Sequence, residues 1–149
     1  MMDRRRFVLN SLAGALAAPL AADAQRLRRV PVIGFLGPSF SGEDPRTENF
    51  RQFREGLREL GYVEGTSVQI EWRLSNNYDL YPRLAAELVG LNVDVLVTSN
   101  TPGALAAKRA TTTLPIVIIT VGDPVAVGLA ATLGRPGGNI TGLSVFATD

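Results

Sequence analysis

Three short stretches of this sequence carry side chains suited to recognising a small polar molecule: Pro38-Ser39-Phe40, Ser99-Asn100-Thr101 and Gly122-Asp123-Pro124. Serine, asparagine and threonine offer neutral donors and acceptors, Asp123 offers a carboxylate that can hold an ammonium group, and Phe40 offers a ring face. Each residue also has a plainer use. Asp123 and Thr101 both precede a proline and can cap a helix, Phe40 can pack back on a sheet edge, and turn chemistry alone selects Ser, Asn and Thr.

The side chains that most enzymes rely on are missing. The 149 residues contain no His and no Cys, which excludes a Ser-His-Asp triad, an imidazole base, a thiol nucleophile, a disulfide and a zinc-thiolate site. Gly34-Phe-Leu-Gly37 lacks the third glycine of a dinucleotide fingerprint, and no Gly-Lys-Ser/Thr phosphate loop occurs. Lys108 sits late in a helical stretch, and Glu55 and Glu59 are surrounded by Arg51, Arg54 and Arg58 as a solvated ion-pair face. The expectation is binding without catalysis, with no cofactor and no metal.

Those stretches need elements to position them. Val30 to Leu36 is an apolar run closed by Gly37-Pro38 and reads as a first strand. Asp44-Pro45 can open a helix that carries Phe50, Phe53, Leu57 and Leu60 at helical spacing and stops at Gly61 in a left-handed cap. Val68, Ile70 and Trp72 alternate with Gln69, Glu71 and Arg73, the pattern of a half-exposed edge strand. A second helix starts near Asp79, with Pro82 in its first turn and Leu80, Leu84, Leu88 and Leu91 along one side. Strands at 93–97 and 114–121 flank an Ala-rich helix at 103–110, and a fourth helix is expected from Pro124 to Gly134. Ile140 to Phe146 begins one more strand.

Strands alternating with amphipathic helices predict an α/β fold with a doubly wound parallel sheet. In such a sheet every strand-to-helix loop lies at the carboxyl edge, so the three stretches converge on one rim. Three helix N-termini, at Asp44-Pro45, Thr101-Pro102 and Asp123-Pro124, are expected to face it, each with free N–H groups and roughly half a positive charge, a setting for a carboxylate or other small anion.

The first 24 residues have the layout of an export signal. Arg4, Arg5 and Arg6 precede a short apolar stretch ending in Ala22-Asp23-Ala24, a small-residue cleavage site, and the apolar run falls short of a membrane span. Arg4 and Arg5, with Phe7 following, resemble a twin-arginine signal. Without Cys there can be no lipoprotein anchor. Removing three Arg and two Asp with this leader from 15 basic and 14 acidic residues leaves the two signs equal, which argues against nucleic acid as a partner.

The order of segments resembles a known family. Ile33-Gly-Phe-Leu, Phe53-Arg-Glu-Gly-Leu-Arg-Glu-Leu-Gly-Tyr62, Leu84-Ala-Ala-Glu-Leu, Val93-Asp-Val-Leu-Val, Gly122-Asp-Pro-Val-Ala-Val-Gly-Leu and Arg135-Pro-Gly-Gly-Asn-Ile-Thr-Gly-Leu-Ser144 are similar to the ABC-transporter substrate-binding proteins that include the tryptophan/tyrosine type. The resemblance implies one Rossmann-like lobe of a type I periplasmic binding protein over residues 25–139, with 140–149 starting a crossover to a second lobe absent here. It implies periplasmic binding of a small solute, an amino acid or related carboxylate, for an ABC permease. The competing reading is a Rossmann-like lobe of an exported or cytoplasmic enzyme or sensor.

Overall fold

The computed structural model describes residues 29–40 and 47–145. A division between Val30 and Pro31 separates the chain into two units, and the sheet with its helices belongs to the second. Five strands form that sheet: β1 (Val32–Gly37), β2 (Gln69–Leu74), β3 (Val95–Thr98), β4 (Ile116–Val121) and β5 (Ile140–Ser144). They pair in the order β2-β1-β3-β4-β5, and every pairing is parallel. The expected doubly wound α/β sheet is therefore present. Ile140–Ser144, expected as one more strand, pairs with β4 as the fifth strand, with a shift of register between Ile118 and Val121.

Among the described residues three α-helices connect the strands: α1 (Thr47–Glu59), α2 (Tyr81–Gly90) and α3 (Thr101–Ala110). The start expected for α1 at Asp44-Pro45 lies outside the described residues. Its end is as the glycine predicts. Gly61 has φ +87°, its N–H donates to Arg58 O at 2.9 Å, and Tyr62 N–H donates to Leu57 O at 2.8 Å. This reciprocal pair satisfies two carbonyls of the last turn and needs a left-handed residue between them. Ahead of α2, Asn77 accepts from Asp79 N–H to start a short 3-10 turn, Tyr78–Leu80, and Pro82 follows in the first α-helical turn, where a missing N–H costs nothing.

The two faces of the sheet are covered by different helices. On one, Ile33 and Phe35 of β1, Ile70 of β2 and Val97 of β3 pack with Phe50 of α1. Phe35 is the centre of an aromatic group, with ring centroids 5.4 Å from Phe50, 5.4 Å from Phe53 and 4.8 Å from Trp72. Trp72 completes the attachment of α1 to the edge strand. Its indole N–H donates to Glu64 at 2.9 Å, while Arg54 stacks over its ring at 4.6 Å and bonds the other oxygen of Glu64 at 2.6 Å. On the opposite face, Leu36, Leu96, Ile116 and Ile118 meet Leu84 and Leu88 of α2 and the alanines of α3. Small side chains on α3 let it lie close to strands whose own residues are large and branched.

The polar positions follow the same geometry. Arg73 of β2 bridges Glu71 at 3.6 Å and Glu87 of α2 at 3.1 Å, so the edge strand turns a charged face toward α2. Glu48 with Arg51 and Glu55 with Arg58 pair one turn apart on the outer face of α1. These are exposed pairs of the kind that add little stability. Lys108 donates to the carbonyl of Gly128.

The fourth helix does not form. After β4 the chain makes a single turn: Asp123 Oδ1 accepts from Val125 N–H at 2.9 Å and Ala126 N–H at 3.0 Å, and Leu129 and Ala130 N–H both bond to Pro124 O. Gly128 then adopts φ +72° and the helical path ends. Of the apolar residues that suggested a helical stripe, only Leu129 is buried, while Val125, Val127 and Leu133 remain exposed. One buried contact does not offset two β-branched residues and a glycine within a single turn.

Candidate ligand site at the carboxyl edge

The connection after β1 leads to β2 on one side, whereas the connection after β2 passes back across β1 to β3. The direction in which strands are added to the sheet therefore reverses at β1, and the carboxyl ends of β1 and β3 open a crevice. A cavity of about 950 Å³ occupies that position. Its floor is Phe35. Phe50 and Phe53 of α1 form one wall with Phe40, and Ile119 and Thr120 of β4 contribute another. Pro38 and Ser39 from the loop after β1, Asn76 and Tyr78 from the loop after β2, and Ser99 and Asn100 from the loop after β3 make the polar edge, joined by Asn49 and Gln52 of α1. Among the described residues no acidic or basic side chain lines it.

Its loops are held by one another. Ser75 N–H donates to Gly37 O at 3.0 Å, and Ser39 N–H donates to Asn76 Oδ1 at 3.1 Å, tying the loops after β1 and β2 together. Thr120 Oγ1 donates to Ser99 O at 3.0 Å, tying the end of β4 to the loop after β3. Asn100 accepts from Gly103 N–H at 2.8 Å and caps α3, so the cap is Asn100 and not Thr101, which occupies the first helical position. Ser99 Oγ is buried with no hydrogen-bond partner among the described residues. It also explains Gly37, because a Cβ there would sit 2.4 Å from that oxygen.

Of the residues singled out by sequence, Pro38, Ser39, Phe40, Ser99 and Asn100 come together around the cavity. Phe40 stacks on Phe50, with centroids 5.6 Å apart, while lining the space. Thr101 is half-buried and does not line it. Gly122, Asp123 and Pro124 stand at the end of β4 outside the lining, with Asp123 Oδ1 engaged as a cap and Pro124 beside a separate cleft of about 110 Å³. Arg4, Arg5, Phe7, Ala22 and Ala24 lie outside the described residues. Asn76, Tyr78 and Thr120 were not anticipated. Asn76 follows the end of β2, and the same carboxyl-edge rule that selected the other loops selects this one too.

Tyr81 of α2, buried behind these loops, keeps its phenol protonated to higher pH than usual. Burial raises its pKa, partly opposed by the hydrogen bond from Asn100. Among the described residues no group of three or more carboxylates could hold a metal ion.

Comparison with known proteins places this geometry in context. The family model described as "ABC transporter substrate binding protein" matches residues 40–148. A tyrosine-binding protein of Clostridioides difficile (strain R20291) is 32% identical over 113 residues, covering 74% of this chain and 33% of that protein. The crystal structure of a conserved domain protein from Vibrio cholerae superposes with a TM-score of 0.72 at 35% identity, over 79% of this chain and 40% of that one. An ABC domain from Streptococcus pneumoniae in complex with L-Trp gives a TM-score of 0.70 at 29% identity, over 78% of this chain and 39% of that one. The chain thus spans about a third of its curated relative and about two fifths of these structures, the extent of a single lobe. By sequence over most of its length, the chain belongs to the ABC transporter substrate-binding protein family.

Proposed function

We propose that the cavity is this lobe's share of a solute site, and that the protein is the extracytoplasmic binding component of an ABC importer for a small amino acid-like solute with an aromatic side chain. The observation that carries this reading is the cavity at the β1/β3 reversal, walled by Phe35, Phe40, Phe50 and Phe53 and edged by Ser, Asn and Thr side chains. Ring faces suit an aromatic or flat apolar group, and uncharged donors next to the N-terminus of α3 suit a carboxylate. The two relatives with named ligands, tyrosine and L-Trp, have such chemistry. Binding of this kind needs no bond made or broken, and neither cofactor nor metal. The partners are then the solute and an inner-membrane permease. Asp123 stands outside this cavity and holds Oδ1 in its cap, so an ammonium contact there would need its second oxygen and a solute that extends past the pocket.

A single lobe encloses one side of a solute, so the test must read weak binding. Titration of the ¹⁵N-labelled chain with L-tryptophan and L-tyrosine is expected to shift the amides of Ser39, Ser99, Asn100 and Thr120. Phe40→Ala should weaken the response by about 1 to 3 kcal/mol, roughly 5- to 150-fold in affinity, from loss of ring contact. A cavity whose amides stay still at saturating concentrations of both amino acids rules the reading out.

Delivery to the periplasm is tested separately. Replacing Arg4 and Arg5 by Lys should leave unprocessed precursor in the cytoplasm. Export that persists in this variant but stops when the general secretion pathway is disabled would refute the twin-arginine assignment.

A further inference from the structure

Tyr81 is buried, with about 1% of its surface exposed, and is not among the residues that line the cavity. Phenylalanine would fill the same space in the core, so the hydroxyl is the informative atom. It donates to the carbonyl of Ser75 at 3.0 Å and accepts from Asn100 Nδ2 at 3.1 Å. Ser75 belongs to the loop after β2 and Asn100 to the loop after β3, which lie on opposite sides of the chain reversal. The Tyr81 ring also meets Tyr78 edge-on, with centroids 5.3 Å apart, and Tyr78 lines the cavity. One buried side chain therefore touches both polar walls of the site from behind.

The bond to Asn100 has a further effect. An amide has an oxygen that only accepts and a nitrogen that only donates. Asn100 Oδ1 takes the N–H of Gly103 at the start of α3, and its nitrogen takes the phenol oxygen, so the two bonds together permit a single orientation of the amide. Turning it over would set donor against donor at Gly103. The Tyr81 hydroxyl can accept from Asn100 because its own proton is committed to Ser75 O. A chain of bonds from Ser75 through Tyr81 and Asn100 to Gly103 thus fixes loop spacing and amide direction at once.

We infer that Tyr81 is a positioning residue for solute binding, acting through Asn100 and the loop after β2. The binding part of this inference rests on the proposed solute site. Side-chain amide signals of Asn100 and L-tryptophan titrations, compared for the wild-type chain, Tyr81→Phe, Asn100→Ser and the double variant, test both parts. Serine retains a cap for α3 but has no amide to offer Tyr81. In Tyr81→Phe the Asn100 side-chain protons should exchange with solvent at least tenfold faster, and affinity for L-tryptophan should fall about tenfold. Asn100→Ser should fall as far, and the double variant no further than either single one, because coupled residues do not add. Losses that multiply to about 100-fold, or an unchanged Asn100 signal with unchanged affinity, overturn the inference. If the wild-type chain does not respond to L-tryptophan, the solute reading falls, and the Asn100 signal in Tyr81→Phe still decides the positioning role. If Tyr81→Phe does not fold, Asn100→Ser carries the test. Shifts in the amides of Asn76 and Tyr78 are then expected, and their absence overturns the inference.

Discussion

Gly142→Ala is expected to release β5 from the sheet and to lower stability by about 3 kcal/mol or more. Gly142 has φ +141°, a region closed to residues with a Cβ, and a Cβ built there would lie 2.0 Å from Ile118 O and 2.7 Å from Ile118 N. Both are backbone atoms of β4, so no side-chain rotation relieves the contact. The register between β4 and β5 already shifts between Ile118 and Val121, and Gly142 lies opposite the first of these. Release of β5 would also expose Ile140, which is 5% exposed in the sheet. Denaturant titration should show a large drop in midpoint, and hydrogen exchange should show early loss of protection at Ile116 and Val145, whose amides bond to Asn139 O and Val121 O. An alanine variant with the wild-type midpoint would mean that the strand accommodates the methyl group by a route the pairing does not suggest.

Phe35→Ala should cost about 3 to 5 kcal/mol, the range for removing a large aromatic side chain from a packed core. Phe35 is 1% exposed and contacts Phe50, Phe53 and Trp72, so its loss would leave α1 without the group it packs on. Because a domain of this size has only about 5 to 15 kcal/mol of stability, the alanine variant should be largely destabilised at physiological temperature. Phe35→Leu keeps most of the volume and should cost less than about 1.5 kcal/mol. Leucine would leave the fold intact while removing a ring from the cavity lining, so it should retain cooperative unfolding and, on the proposed solute reading, lose affinity for aromatic solutes. Equal unfolding midpoints for the two variants would show that the aromatic group does not hold α1 to the sheet.

The elements were legible in the sequence wherever a local rule decides them. Ile70 and Trp72 alternate with Glu71 and Arg73 because β2 is an edge with one face on α1, and β1, β3 and β4 read as more continuous apolar runs because each contributes side chains to the apolar clusters on both faces of the sheet. Gly61 marked the end of α1 because only a left-handed residue closes the last turn in that way. The same local rules misjudged 124–134. A stripe of Val125, Leu129 and Leu133 satisfies helical spacing, but spacing does not say whether anything exists for the stripe to pack against, and only Leu129 found a partner.

By itself, then, the sequence determined the class of fold, the glycine that stops α1, the loops that must share the carboxyl edge, and the lack of His and Cys side chains in this chain. These follow from residue type and from periods of two and 3.6, which act over a few neighbours. The tertiary structure alone decided which of those loops form the cavity. Asn76 and Ser39, 37 residues apart, meet because β2 lies beside β1, and Tyr81 reaches Asn100, 19 residues away, because the chain crosses over β1 before entering β3. It also decided that Asn100 rather than Thr101 caps α3, since the Asn100 amide is held between Gly103 and a phenol brought in by another helix. Strand order is set by the packing of the whole sheet and has no signature in any short window, and for that reason the walls of the site became visible only in the fold.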